Sequence, residues 1–161
     1  MCLAIKTQKN NCPNKSLYYK VYDLQSSVTL AVSPLFYGKK FNLRYDTMLI
    51  SNRKSQFITK QETIEGSIHK GIHVCLSLAE AKKYALEASN RIVVGVEGSP
   101  DDFVAVGNDN KQAVFTKVKL ENIIGVSTIV YKNGIGHHRK IRKPTAKEVD
   151  KFFFSGIEIH V

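Results

Sequence analysis

The stretch GIHVCLSLAEAKKYALEASNRIVVGV, residues 71–96, has the pattern of a strand, a capped helix and a second strand. Ser77 and Glu80 have the spacing of a capping box, in which each side chain bonds a free backbone N–H of the first helical turn. One apolar stripe follows at helical spacing: Leu78, Ala81, Ala85 and Ala88. The spacing predicts a helix over residues 77–88 that packs on a sheet containing residues 92–96.

Strand patterns fill most of the remaining chain. Runs of β-branched and aromatic residues are separated by turns, and they include short predicted strands around residues 47–51 and 55–59. A second capping pattern, Thr145 with Glu148, predicts a helix over residues 145–154. These elements predict an α+β protein with a mainly antiparallel sheet and two helices.

The first sixteen residues differ from the rest of the chain. Residues 1–16 are basic, polar and rich in turn formers, and they offer only Leu3 and Ile5 as anchors for a core. Burying two such side chains does not offset the entropy lost when sixteen residues become ordered. We therefore expect a basic N-terminal arm that is held by neighbouring chains, followed by a single domain over residues 17–161.

The formal net charge of +10 is unevenly distributed along the sequence. Residues 1–60 carry +8, residues 61–131 carry −2 and residues 132–161 carry +4. Such segregation favours a positive surface that meets a negative partner. That partner could be nucleic acid, an anionic membrane face or an acidic protein surface.

Cysteine spacing and hydropathy indicate the cellular compartment. No apolar run reaches the roughly 18–20 residues of a membrane helix, so no transmembrane segment is predicted, and residues 1–14 lack the apolar region of a signal peptide. Cys2, Cys12 and Cys75 have no close spacing, and we expect reduced thiols, no metal site and no cofactor. The expected location is intracellular, in the cytoplasm or nucleus of a host cell, or in a virion.

Two clusters of basic residues are candidate contacts for a partner or for phosphate. The run 137–143 contains four cations, Arg139, Lys140, Arg142 and Lys143, and no acid lies between residues 122 and 147. The loop 35–44 interleaves aromatic residues with Lys39, Lys40 and Arg44, a combination typical of single-strand binding. The alternatives are a solvated basic loop at 137–143 and, at 35–44, aromatic side chains that enter the core while the cations stay in water.

A candidate pocket is predicted near His73, Ser77 and Tyr84. His73 lies in the middle of an apolar strand, where a hydrogen-bonded core histidine is the more common role. The sequence contains no Walker loop, GxGxxG motif, nucleophile elbow or HExxH motif, and this absence of catalytic groups disfavours an enzyme without excluding one.

The strand–helix–strand stretch also carries a resemblance to known proteins. Its residues are Gly71-Ile72-His73-Val74, Ser77-Leu78-Ala79-Glu80-Ala81 and Tyr84-Ala85, followed by a Val-rich strand. They resemble a module in uncharacterised small α+β proteins of phages and large DNA viruses. Over about residues 66–120 the shape is distantly similar to ADP-ribosyltransferase-like domains, whose enzymes hold the NAD ribose with a His or Arg on an early strand and use a later Glu or Asp. In this chain the first strand has other residues at that place: Tyr18, Tyr19, Lys20 and Tyr22.

These observations lead to one expected function and two alternatives. We expect a non-enzymatic binding or structural protein, a virus-encoded component of a larger assembly such as a minor capsid or virion protein, with other protein chains as partners. The first alternative is a nucleic-acid-binding protein that uses the basic loops 35–44 and 137–143. The second, implied by the resemblance, is an ADP-ribosyltransferase-like enzyme or nucleotide binder.

Overall fold

The structure is a computed structural model, and it describes residues 3–4, 12–24, 30–32, 41–42, 47–107, 109–131, 137–146 and 158–160. Within this part of the chain two α-helices are bounded, α1 (Lys60–Glu65) and α2 (Leu78–Ala85), together with a short 3-10 helix over Pro100–Asp102. Its strands are β1 (Leu3–Ala4), β2 (Leu17–Leu24), β3 (Leu30–Val32), β4 (Phe41–Asn42), β5 (Met48–Ile50), β6 (Ser67–Ile68), β7 (Ile72–Cys75), β8 (Arg91–Glu97), β9 (Phe103–Val106), β10 (Gln112–Phe115), β11 (Lys117–Tyr131), β12 (His137–Arg142) and β13 (Glu158–His160).

Most of these strands belong to one sheet, in the order β13-β5-β11-β8-β2-β7-β10-β9. Strand β12 also pairs with β11, β3 pairs with β2 and β4, and β1 pairs with β6 in a separate ladder. The described neighbours are antiparallel except for β13, which is parallel to β5. The predicted class, α+β with a mainly antiparallel sheet, is therefore confirmed.

The sheet curls back on itself because β10 and β11 are consecutive parts of one long segment. Only Thr116 separates them, whereas β7, β2 and β8 lie between them in the sheet order. The enclosed face carries the largest apolar cluster, in which Tyr18 and Phe115 are fully buried with ring centroids 4.9 Å apart. The main core therefore sits inside the curled sheet.

Helix α2 covers the opposite face of the same sheet. Strands β7 and β8 both pair antiparallel with β2, so they run parallel to each other with β2 between them. Helix α2 connects them across this face, where Ala81 and Ala85 are fully buried beside Val21 and Val93. The predicted helix and its packing on the sheet through Leu78, Ala81 and Ala85 are confirmed, whereas Ala88, the fourth member of the predicted stripe, lies beyond the end of the helix.

Different contacts decide the two ends of α2. At the start, the Ser77 hydroxyl accepts a hydrogen bond from the backbone amide of Glu80, which is one half of the predicted capping box. The reciprocal bond from the Glu80 side chain is not among the contacts of the described residues. At the end, the helix stops at Ala85, earlier than the predicted boundary at residue 88. The carbonyl of Ala88 accepts a hydrogen bond from the Ser127 hydroxyl at 2.7 Å, so residues 86–90 turn towards β8 instead of continuing the helix.

Two predicted elements, the strand around residues 55–59 and the helix over residues 145–154, have different outcomes. The strand predicted around residues 55–59 is wrong, because this segment is a loop that leads into α1. Thr59 begins α1 with a complete capping box, a signal that the strand interpretation overlooked. Of the helix predicted over residues 145–154, the structure describes only the first two residues, of which Ala146 is helical, and the rest lies outside the described residues.

Part of the N-terminal arm pairs with its own chain. Strand β1 is antiparallel to β6, with Leu3 opposite Ile68 and Ala4 opposite Ser67. Residues 1–2 and 5–11 lie outside the described residues, and the boundary of the arm at residue 16 stays a prediction. Leu3 and Ala4 therefore have strand partners within their own chain. Within the described ranges, no helix is long and apolar enough to cross a membrane.

Candidate functional site

A two-stranded ribbon extends from the sheet at the C-terminal half of β11. Strand β8 pairs with β11 only as far as Val126, which lies opposite Ile92. Strand β12 pairs with β11 from Val126 to Tyr131. Residues 127–131 and 137–141 therefore form an antiparallel pair that continues past the end of β8, and we call this pair the ribbon.

The base of the ribbon is anchored on the residues that follow α2. The Ser127 hydroxyl donates a hydrogen bond to the carbonyl of Ala88 and accepts one from the backbone N–H of Arg91 at 2.9 Å. Ile141 packs against the apolar layer under α2. A Cβ atom on Gly125 would overlap the Ile141 side chain, so glycine is what allows β12 to lie this close to β11. These contacts give the ribbon a fixed direction.

The basic run 137–143 is a strand over His137–Arg142, which corrects the prediction of a loop. The reason is the β-branched end of β11, which offers a full row of backbone partners. Successive side chains of a strand point to opposite faces, so Arg139 points towards α2, where its guanidinium contacts the carbonyl of Leu86 at 3.5 Å. Lys140 and Arg142 point to the other face, and Lys143 follows the end of the strand. The structure thus divides the predicted cluster between two faces.

The ribbon presents positive charge and one aromatic ring to solvent. His138, Arg139 and Lys140 are exposed on the ribbon, Lys143 is exposed just beyond it, and Tyr131 at the far end of β11 is 73% exposed. No acidic residue occurs between residues 122 and 147. The charge on the ribbon is therefore not balanced by an acid within residues 127–131 or 137–141.

The second predicted basic cluster cannot be compared with the first. Lys39, Lys40 and Arg44 lie outside the described residues, and strand β4 gives only the backbone of Phe41–Asn42.

Each member of the predicted pocket makes its own local contacts, and the pocket stays a prediction. His73 is buried on β7, where its Nε2 donates to the carbonyl of Ile68 at 3.1 Å. Ser77 caps α2, and Tyr84 lies near the other end of that helix, with the guanidinium of Arg91 4.9 Å from its ring centroid. The Tyr84 hydroxyl is buried without a hydrogen-bond partner among the described residues, and burial raises its pKa to about 12. No three His, Cys, Asp or Glu side chains in the described ranges come together as metal ligands would.

A lysine that the sequence analysis assigned no role lies on the enclosed face of the sheet. Lys20 stands between Tyr18 and Tyr22 on β2, and its Nζ donates to the carbonyl of His73 at 2.9 Å. The same Nζ is 5.1 Å from the centroid of the Tyr22 ring. Burial lowers the pKa of Lys20 to about 8, and burial together with the Lys20 charge lowers the pKa of His73 to about 4. The signal in the sequence is a lysine at an inward position between two inward aromatic residues.

Comparisons with known proteins identify no relative of this chain. No protein-family model, no curated protein and no solved structure matches the chain. Its function is therefore inferred from the geometry and charge of its own residues.

Proposed function

We propose that the protein binds nucleic acid through the ribbon formed by β11 and β12. The observation that carries the proposal is the pairing pattern, which extends the end of β11 and the basic strand β12 past β8 with Arg139 and Lys140 exposed. Lys143 is exposed directly after β12. Phosphate contacts made by Lys and Arg supply most of the affinity of non-specific nucleic-acid binding. The net charge of +10 adds a long-range attraction to the same ligand.

The shape of the ribbon supports the same function. An antiparallel two-stranded ribbon is narrow enough to enter the major groove of B-DNA. Lys140 points to the face of the ribbon opposite Arg139, away from α2. The ribbon is also anchored at its base by Ser127 and Ile141, so its cations are held in a fixed direction before binding.

The test uses two variants of equal net charge. The ribbon variant carries Arg139→Gln, Lys140→Gln and Lys143→Gln, and the control variant carries Lys54→Gln, Lys60→Gln and Lys70→Gln at exposed positions outside the ribbon. Each variant lowers the net charge from +10 to +7. Fluorescence anisotropy with a labelled DNA duplex, its single strand and an RNA of equal length measures the affinity between 50 and 200 mM salt.

We expect the ribbon variant to lose affinity and to flatten the salt dependence by about 0.9 in slope for each lost phosphate contact on duplex DNA. The control variant should keep a slope close to that of the wild type. Equal losses in the two variants, or no binding of the wild type at 50 mM salt, would contradict the proposal. If the triple variant does not fold, Lys140→Gln alone should lower the slope by about one.

A second candidate is a component of a larger assembly, in its simplest form one made of copies of this chain. The observation that favours it is a pair of large apolar side chains near α1, Phe57 and Ile64, which are 72% and 70% exposed. Helix α1 itself has no buried residue. If the two side chains form one patch, that patch is a candidate surface for contact between copies of the chain.

Sedimentation between 1 and 200 μM distinguishes this candidate. We expect a concentration-dependent mass that the double variant Phe57→Ser, Ile64→Ser abolishes. The matched control is Tyr131→Ser, which removes an equally exposed ring from the ribbon. If the wild-type protein is a monomer at every concentration, the proposed self-assembly through this surface is contradicted.

A further inference from the structure

The C-terminal end of α2 lies against the base of the ribbon. The guanidinium of Arg139 contacts the carbonyl of Leu86 at 3.5 Å, and the backbone N–H of Leu86 bonds the carbonyl of Lys82 at 3.0 Å. Residues four positions apart lie on the same side of a helix, about one turn apart along its axis. Lys82 is therefore one helical turn from the residue that the ribbon contacts.

The two flanks of α2 differ in charge. On one flank, Tyr84 and Glu87 both contact Arg91, whose guanidinium is 4.9 Å from the ring centroid of the tyrosine and 3.5 Å from the carboxylate of the glutamate. Lys82 lies on the other flank, because two helical positions before Tyr84 correspond to roughly 200° around the axis. Lys82 is exposed, and within the described ranges it makes no ion pair. The flank next to the ribbon thus carries an uncompensated positive charge.

We propose that Lys82 and Arg139 bind the phosphate backbone of duplex DNA in the corner between α2 and the ribbon. The proposal rests on the nucleic-acid binding proposed for the ribbon, and it names the face of the ribbon that meets the ligand. Arg139 points towards α2 from the ribbon, and Lys82 approaches the same corner from the helix. Cations from two separate elements can contact neighbouring phosphates of one DNA strand, which positions the duplex on the protein.

The composition of the corner favours a duplex over a single strand. Proteins that bind single strands offer aromatic rings on which unpaired bases stack. The ribbon-side flank of α2 has Ala79, Lys82 and Leu86, none of which is aromatic, and Tyr131 lies at the far end of the ribbon. Charge without a stacking ring suits a ligand whose bases stay paired.

The experiment compares three variants that each lower the net charge from +10 to +9. Lys82→Gln changes the proposed contact. Lys83→Gln changes the next residue, which lies roughly 100° further around the helix and has Glu87 as its neighbour one turn on. Lys70→Gln changes an exposed lysine outside α2 and the ribbon. Fluorescence anisotropy between 50 and 200 mM salt measures the affinity for a labelled duplex and for one of its strands alone.

We expect Lys82→Gln to lower the salt-dependence slope on the duplex by about 0.9 and to weaken binding at 100 mM salt by about fivefold or more. Lys83→Gln and Lys70→Gln should each change the slope by less than half as much. The wild type should bind the duplex more tightly than the single strand. If Lys82→Gln does not fold, the duplex should protect Lys82 of the wild type from acetylation more strongly than it protects Lys83 and Lys70.

The outcomes separate this inference from the proposed function. No binding of the wild type at 50 mM salt would overturn both. If the triple ribbon variant loses affinity while Lys82→Gln and Lys83→Gln have equal slopes, the ribbon still binds nucleic acid and the corner is overturned. Equal protection of Lys82, Lys83 and Lys70 has the same meaning. Tighter binding of the single strand would overturn the assignment of a duplex to this corner.

Discussion

Arg53 and Glu62 form a two-pronged ion pair beneath the loop that joins β5 to α1, with Nη2 of the arginine 2.9 Å from Oε2 of the glutamate. The same guanidinium donates to the backbone carbonyls of Ser55, Phe57 and Lys70. Arg53 is only 8% exposed, so these acceptors replace water around a buried charge. The carbonyls of Ser55 and Phe57 thus bond the arginine instead of a neighbouring strand, and this segment is a loop and not the predicted strand.

The first prediction concerns this ion pair. Glu62→Ala should lower the free energy of unfolding by about 3 kcal/mol, because it leaves a buried guanidinium without its counter-charge. The Arg53 hydrogen bond also holds the pKa of Glu62 below its ordinary value, so this stabilisation is present at neutral pH and is lost as the pH falls through that lowered value. Urea denaturation at pH 7 measures the change. The control is Glu65→Ala, at an exposed position of the same helix, which should change the free energy of unfolding by less than about 0.5 kcal/mol. Equal losses of stability in Glu62→Ala and Glu65→Ala would mean that the ion pair is not buried.

The second prediction concerns acid sensitivity at His73. Its folded-state pKa of about 4 lies below the unfolded value of about 6.5, so the unfolded chain takes up a proton first as the pH falls. Stability should therefore decrease between about pH 6.5 and pH 4, by roughly 2 kcal/mol from pH 7 to pH 4.5. His73→Gln keeps a donor for the Ile68 carbonyl and removes the titration. Urea denaturation of both proteins at pH 7, 5.5 and 4.5 should show a steeper loss in the wild type; parallel curves would show that His73 is not desolvated.

The third prediction concerns the start of α2. Ser77→Ala should cost about 1 kcal/mol, since it removes the acceptor for the Glu80 amide. Ser77→Asp supplies another good acceptor and should stay within a few tenths of a kcal/mol of the wild type. Thermal or urea unfolding distinguishes the two variants. A loss below roughly 0.2 kcal/mol for Ser77→Ala would show that the cap contributes nothing to stability.

The fourth prediction concerns the arm and bears on an assembly role. In a monomeric sample, deletion of residues 1–5 should speed amide exchange at Ser67 and Ile68 by about tenfold or more, because β6 loses its partner β1. Hydrogen exchange with peptide-level mass spectrometry measures the change, and a peptide from β8 serves as the control. An arm that exchanges within seconds, with no effect of the deletion, would instead support ordering by neighbouring chains.

The residues around α2 show which features of a helix can be predicted from the local sequence. The cap at Ser77 and the apolar spacing of Leu78, Ala81 and Ala85 depend on neighbours within ten positions, and the helix forms and packs as this pattern predicts. The helix ends three residues before the predicted boundary, and Ala88 there bonds Ser127, which lies 39 positions away in the sequence. The alternation of β-branched residues likewise predicted the sheet class, although it carried no information about which strands are neighbours.

In the candidate sites, too, the local sequence determines some properties and the tertiary structure decides others. The sequence determined that residues 137–143 are strongly basic, but only pairing with β11 decided that they form a strand, so that alternation separates Arg139 from Lys140. Lys20 is one of many lysines in the sequence, and its lowered pKa comes from burial beside strand β7, more than fifty residues away. By itself the sequence thus determined composition, charge, periodicity and caps, which are local properties. The tertiary structure decided burial, sheet neighbours and electrostatic environment, because each of these depends on which distant segments fold against one another.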